Sequence, residues 1–159
     1  MPCWALSTTC NNAGLEESLQ NLIKLRVSQI NGCAYCIDMH WKDLRAAGEA
    51  EQRLYGLDAW EESPYYTERE RAALTWAESV TNIQEGHVPD GVFERVKEFF
   101  NDKELADLTL AVTAINSWNR LSIAARTVLA LISRLRNKAH SSAYSFLLRV
   151  LSASHCALR

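Results

Sequence analysis

Cys33, Cys36 and His40 are the residues of this chain best suited by type and spacing to do chemistry. They stand in the string Gln29-Ile30-Asn31-Gly32-Cys33-Ala34-Tyr35-Cys36-Ile37-Asp38-Met39-His40. At about 100° per residue, positions 33, 36 and 40 of one helix project within a sector of roughly 60°, so two sulfurs and an imidazole share a face. With Cys33 where the helix begins, the unsatisfied N–H groups of the first turn and the helix dipole favour an anion, and a neighbouring imidazolium favours thiolate further. His40, four residues past Cys36, is close enough to hydrogen-bond its sulfur or to activate it through one water. The ridge these side chains form is expected to be reachable by solvent.

Three readings compete for this cluster. A thioredoxin-like motif needs its cysteine pair at the end of a strand in a βαβ unit, whereas helical patterns lie on both sides here. Zinc would take Cys33, Cys36 and His40 with a fourth ligand from His87, His140, His155 or Cys156, yet no second ligand pair at short spacing is present. Inert buried cysteine explains one thiol easily, but it does not explain two thiols and a histidine on one face.

The elements that position the cluster follow from apolar periodicity. Leu15, Leu19, Leu22, Ile23, Val27 and Ile30 recur at three- and four-residue steps, which predicts a helix up to Ile30. Asn31-Gly32 stops it, glycine supplying the positive φ of a tight turn. A second helix is expected from about Ala34 to Ala47, closing at Gly48, and a short one over Glu49 to Tyr55. Residues 56–66 read as a loop pinned by Trp60, Tyr65 and Tyr66.

Thr67 with Glu70 predicts a capping box opening a helix whose buried stripe is Ala73, Trp76, Ala77 and Val80. Pro89 starts the next, with Val92, Phe93, Val96, Phe99 and Phe100 as its apolar face. Asn101 and Glu104 mark the start of a last helix striped by Leu105, Leu108, Val112 and Ile115. No strand-length alternation of apolar and polar residues stands out, so the fold class is all-α.

The 159 residues, 48% hydrophobic and 23% charged, suit a single globular domain. A net charge of -2 argues against nucleic acid as partner. All 19 acidic residues lie at or before Asp107. The later segment is basic, with Arg120, Arg126, Arg134, Arg136, Lys138, Arg149 and Arg159. Met1 to Asn12 carries no basic residue and no long apolar run, and no stretch is apolar enough to span a membrane, so a cytoplasmic protein is expected. Five cysteines, an odd number, fit reduced thiols rather than a secreted disulfide framework. Cys3, Cys10 and Cys156 are read as free thiols.

The string Leu22 to His40 resembles the core of the AhpD-like branch of the carboxymuconolactone decarboxylase family, whose signature is Cys-x-x-Cys-x-x-x-His. The likeness continues through Glu68-Arg69-Glu70-Arg71-Ala72-Ala73-Leu74 and Ala114-Ile115-Asn116-Ser117-Trp118-Asn119-Arg120, covering roughly residues 13 to 126. It implies a helical bundle that assembles as a homo-oligomer and reduces small hydroperoxides, with no metal or bound cofactor. In that scheme Cys36 is peroxidatic, Cys33 resolves its sulfenic acid into a disulfide, His40 relays the proton, and an external thiol reductant reopens the bond. A lactone decarboxylase, which the wider family name invites, has no use for a thiol pair. A non-enzymatic zinc or interaction module is the remaining alternative.

The family usually places a relay glutamate twelve residues before the first cysteine, where this chain has Asn21. Glu17 and Glu78 are the candidates to replace it. The segment before Gly14 is shorter than the family's, which predicts a shortened start. Trp118, Asn119 and Arg120 read as core or oligomer contact, His87 as a loop residue, and Met39 as gap-filling core. Domain organisation is therefore an AhpD-like domain over 1–126 and an extension over 127–159. The extension is apolar and basic, helical or poorly packed, and suited to subunit packing or, less so, to a membrane surface.

Overall fold

The computed structural model describes residues 14–127. The extension expected over 127–159 lies outside them but for Thr127, as do Cys3 and Cys10. Among the described residues are six α-helices, one 3-10 turn and no strand, so the all-α expectation holds. The helices are α1 (Glu17–Ile30), α2 (Ala34–Ala46), α3 (Glu51–Tyr55), α4 (Glu68–Thr81), α5 (Asp90–Lys97) and α6 (Asp102–Ala124), with the 3-10 turn at Gly56–Ala59 after α3. No described helix is long and apolar enough to cross a membrane.

α1 is the central element, packed by α2, α4 and α6. Its apolar face is correspondingly wide: Leu19, Leu22, Ile23, Leu25 and Val27 are all buried, more than the single stripe a surface helix carries. Arg26 is tolerated in this helix because its guanidinium has partners. Its Nε donates to Glu78 at 2.7 Å and its Nη1 pairs with Asp58, which compensates the part-buried charge.

Both capping boxes read from the sequence are present. The Thr67 hydroxyl accepts the Glu70 N–H and the Glu70 carboxylate accepts the Thr67 N–H. Asn101 and Glu104 make the same reciprocal pair at the start of α6. Each such cap contributes about 1 kcal/mol, enough to fix where α4 and α6 begin and hence which of their faces meets α1.

Two aromatics of the 56–66 segment pin it as expected. Trp60 and Tyr66 are buried, and the Trp60 indole N–H reaches Glu78 at 2.7 Å. Tyr65 instead faces outward, accepting a hydrogen bond from Gln52 at 2.6 Å. Phe93 also departs from expectation: it is 48% exposed and only leans against Trp76, with ring centroids 6.3 Å apart. The reason is the brevity of α5, whose eight residues bury only Val96.

Candidate active site

The site is built on the turn that ends α1. Gly32 takes a left-handed φ of +66°, where a residue with a Cβ would be strained. Its N–H donates to the Gln29 carbonyl at 3.0 Å, and the Cys33 N–H donates to the Ser28 carbonyl at 3.0 Å. This 5→2 and 6→1 pair is the Schellman arrangement. Cys33 is thus the last tethered residue of α1 and, at the same time, the N-cap of α2, its sulfur accepting the Cys36 N–H at 3.4 Å. The sequence expectation that Cys33 stands where a helix begins is met, and the mechanism is a helix stop and a helix start sharing one residue.

Cys33 and Cys36 are joined as a disulfide, with Cα atoms 5.4 Å apart. Cys36 and His40 follow one another along the inner side of α2, with Leu44 one turn further. That stripe packs toward the core, which corrects the expected solvent-reachable ridge: Cys33 is 1% exposed, Cys36 2% and His40 7%. The 3–4 spacing that gathers the three side chains is also the spacing of a buried helix face, and Leu44 makes it one.

His40 differs from expectation in charge as well. Burial, and secondarily the Lys24 ammonium, pull its pKa down to about 3, because a charged imidazole there would lose its hydration and face a like charge. At neutral pH it is therefore neutral and no imidazolium stands beside the sulfurs. Both of its ring nitrogens are buried without a hydrogen-bond partner, an arrangement that costs about 1–3 kcal/mol per group.

Neither candidate for the relay carboxylate bonds to His40. Glu17 is exposed in the first turn of α1, and a 14-residue helix puts about 20 Å between its two ends. The Glu78 carboxylate is engaged by Arg26 and Trp60, each at 2.7 Å. Asn21 is half-buried on α1 one turn before Lys24. Among the described residues no three His, Cys, Asp or Glu side chains converge as metal ligands would. His87, in the loop before α5, is exposed with φ +60°, and His140, His155 and Cys156 lie outside the described residues.

A polar cluster that the sequence reading missed surrounds the same turn. The Asn31 side-chain amide donates to the side-chain oxygens of Asn116 and Asn119, both at 2.9 Å. The Asn119 amide donates to the Ser28 hydroxyl at 3.0 Å. Asn119 is fully buried, and it continues the apolar stripe of α6 four residues after Ile115. A polar residue in register with a core stripe was the available signal.

Comparison with known proteins agrees with this fold. A sequence model described as the carboxymuconolactone decarboxylase family matches residues 3–79. The chain is similar to the uncharacterized protein YdfG of Bacillus subtilis (strain 168), 48% identical over 112 residues, which cover 70% of this chain and 76% of that one. A 37-residue stretch is 54% identical to alkyl hydroperoxide reductase AhpD of Bradyrhizobium diazoefficiens, covering 23% of this chain and 20% of that one. Among solved structures, one from Agrobacterium tumefaciens has a TM-score of 0.77 and 45% identity over 79% of this chain and 86% of that chain. It is a protein of unknown function described as a candidate antioxidant defence protein AhpD.

Proposed function

The chain belongs to the carboxymuconolactone decarboxylase family and has the AhpD-like fold, and from that premise we propose that it is a thiol-dependent peroxidase cycling through the Cys33–Cys36 disulfide. The observation that carries this reading is the pairing of the two sulfurs at the start of α2, with the His40 imidazole on the same helix face. In the reduced protein the Cys36 thiolate attacks the terminal oxygen of a hydroperoxide. The O–O bond breaks, the alcohol leaves with a proton, and Cys36 becomes a sulfenic acid. Cys33 then attacks that sulfur, water leaves, and the disulfide forms. Two equivalents of an external thiol reduce it again and are themselves joined as a disulfide.

The Cys36 N–H bonded to the Cys33 sulfur favours Cys33 as the thiolate that closes the bond, and as the leaving group when an external thiol attacks Cys36. His40, neutral in the oxidised site, is poised to take up on one unpartnered nitrogen the proton that the Cys36 thiol loses, and to pass a proton from its ring to the departing alkoxide. Because both sulfurs lie beneath the surface, a peroxide reaches them only when α2, which packs chiefly against α1, shifts locally. That requirement favours small substrates. The half-exposed apolar side chains of Phe93 on α5 and Leu110 and Ile123 on α6 support assembly with further copies of the chain. Turnover of hydrogen peroxide and of a small organic hydroperoxide with a dithiol reductant tests the reading. Wild type is expected to consume both and Cys36→Ser neither, and equal rates in the two proteins would overturn it.

A further inference from the structure

We propose that Asn119 is a positioning residue for the redox turn, acting through Ser28 and Asn31 to hold the two thiols of the reduced protein in bonding register. The inference rests on the reading of Cys33 and Cys36 as a redox pair. Asn119 sits, fully buried, where α6 would otherwise continue its apolar stripe, and a buried side-chain amide is destabilising there unless it is bonded. Both of its polar groups are used, and on residues that bracket the turn. Its amide donates to the Ser28 hydroxyl at 3.0 Å, and its oxygen accepts from Asn31 at 2.9 Å.

These two partners are the ones that matter for Cys33. Ser28 holds the Cys33 N–H on its carbonyl at 3.0 Å and anchors its own hydroxyl on the Lys24 carbonyl at 2.7 Å. Asn31 is the C-cap of α1, and its amide also donates to Asn116 at 2.9 Å and to the Val27 carbonyl at 3.1 Å. Asn116 is in turn oriented by donation to Thr81 at 3.1 Å and by the Arg120 guanidinium at 2.9 Å. The turn from Ser28 to Cys33 is therefore fixed from α6 as well as by its own backbone.

Such a clamp acts on the dithiol more than on the disulfide. Once the sulfurs are bonded, the bond itself restrains Cys33. In the dithiol only the turn does, and the readiness of two thiols to pair depends on how narrowly they are oriented. Loosening the turn lowers their effective concentration and makes the disulfide easier to reduce.

The test is the equilibrium of the purified full chain with glutathione, in which the two thiols plus one glutathione disulfide give the protein disulfide plus two glutathiones. The disulfide fraction is read by alkylation and mass mapping at a temperature where circular dichroism shows each variant folded. Asn119→Ala and Asn31→Ala are each expected to lower the equilibrium constant about tenfold, equivalent to about 30 mV for a two-electron couple. Their double variant is expected to shift little further, as members of one network do. Lower melting temperatures with the constant unchanged within twofold, or a constant that rises, would overturn the proposal. Should Asn119→Ala fail to fold, Asn31→Ala, at a half-exposed position, gives the same reading. Peroxide turnover does not enter this measurement: wild type inactive toward peroxide, with the shift seen in the variants, sinks the peroxidase reading alone, and an active wild type with no shift in the variants sinks this one alone.

Discussion

The Cys36 backbone N–H points at the Cys33 sulfur, 3.4 Å away, so that one cysteine of the pair caps the helix on which the other is carried. The relationship is asymmetric. Cys33 receives a donor and the positive end of α2, whereas Cys36 lies one turn inside beside the neutral His40. Because both sulfurs are equally buried, exposure does not offset that difference.

Cys33 is accordingly expected to be alkylated faster than Cys36 in the reduced protein at pH 7, by about tenfold, since a charge-assisted bond to a thiolate is worth roughly 1.5–3 kcal/mol; the Cys36 thiolate that attacks peroxide is then the minor form, generated as His40 takes its proton. Rates of iodoacetamide modification in Cys36→Ser and Cys33→Ser isolate each thiol. Equal rates, or a faster Cys36, would show that the cap does not select the thiolate.

His40 makes stability depend on pH in a definite direction. Its pKa in the folded chain, about 3, lies below the unfolded value near 6.5. Between those values the unfolded chain binds a proton that the folded chain does not, so stability is fully present above about pH 6.5 and is lost as pH falls toward 3. Each unit is worth about 1.4 kcal/mol. Urea unfolding of the oxidised protein is expected to show a wild type that weakens relative to His40→Gln on going from pH 7 to pH 4.5. Parallel pH profiles would contradict a neutral buried imidazole.

Glu78 is expected to serve stability rather than proton transfer. Glu78→Gln removes the charge that Arg26 and Trp60 share, and a loss of about 1–3 kcal/mol is expected with peroxide turnover unchanged at a temperature where the variant is folded. A hundredfold fall in turnover in folded protein would restore Glu78 as a relay group.

Asn21→Glu tests the relay from the other side. The half-buried position 21 lies one helical turn before Lys24, the ammonium that helps keep His40 neutral, so a carboxylate there opposes that influence and makes His40 a better base. Turnover is expected to rise about tenfold, toward the lower end of what a positioned acid–base group supplies. An unchanged rate would mean that proton relay through His40 is not limiting.

Much of this was legible in the residues because local chemistry and tertiary packing agree. The capping boxes at Thr67 and Asn101 fix helix starts through bonds between neighbours in sequence, and Gly32 fixes the stop of α1 through its own backbone freedom. The side on which Cys33, Cys36 and His40 gather followed from helical periodicity. What periodicity does not say is whether a face is turned outward, and here Leu44 decided that it is packed. The state of His40 was hidden for a related reason: it depends on burial and on Lys24, sixteen residues away. The Ser28, Asn31, Asn116 and Asn119 cluster joins residues up to 91 positions apart, and short polar side chains carry no periodic signature of their own. Glu17 lies one turn before Asn21 on α1, but it is exposed and makes no bond to His40.

The most direct measurement is peroxide titration of the fully reduced protein, followed by mass mapping of its disulfides and oxidised cysteines. One equivalent of peroxide is expected to convert wild type to the Cys33–Cys36 disulfide and to leave a trapped sulfenic acid on Cys36 in Cys33→Ser. Free thiols at both positions after excess peroxide would contradict the account, and sulfenic acid on Cys33 in Cys36→Ser, with none on Cys36 in Cys33→Ser, would reverse the two roles.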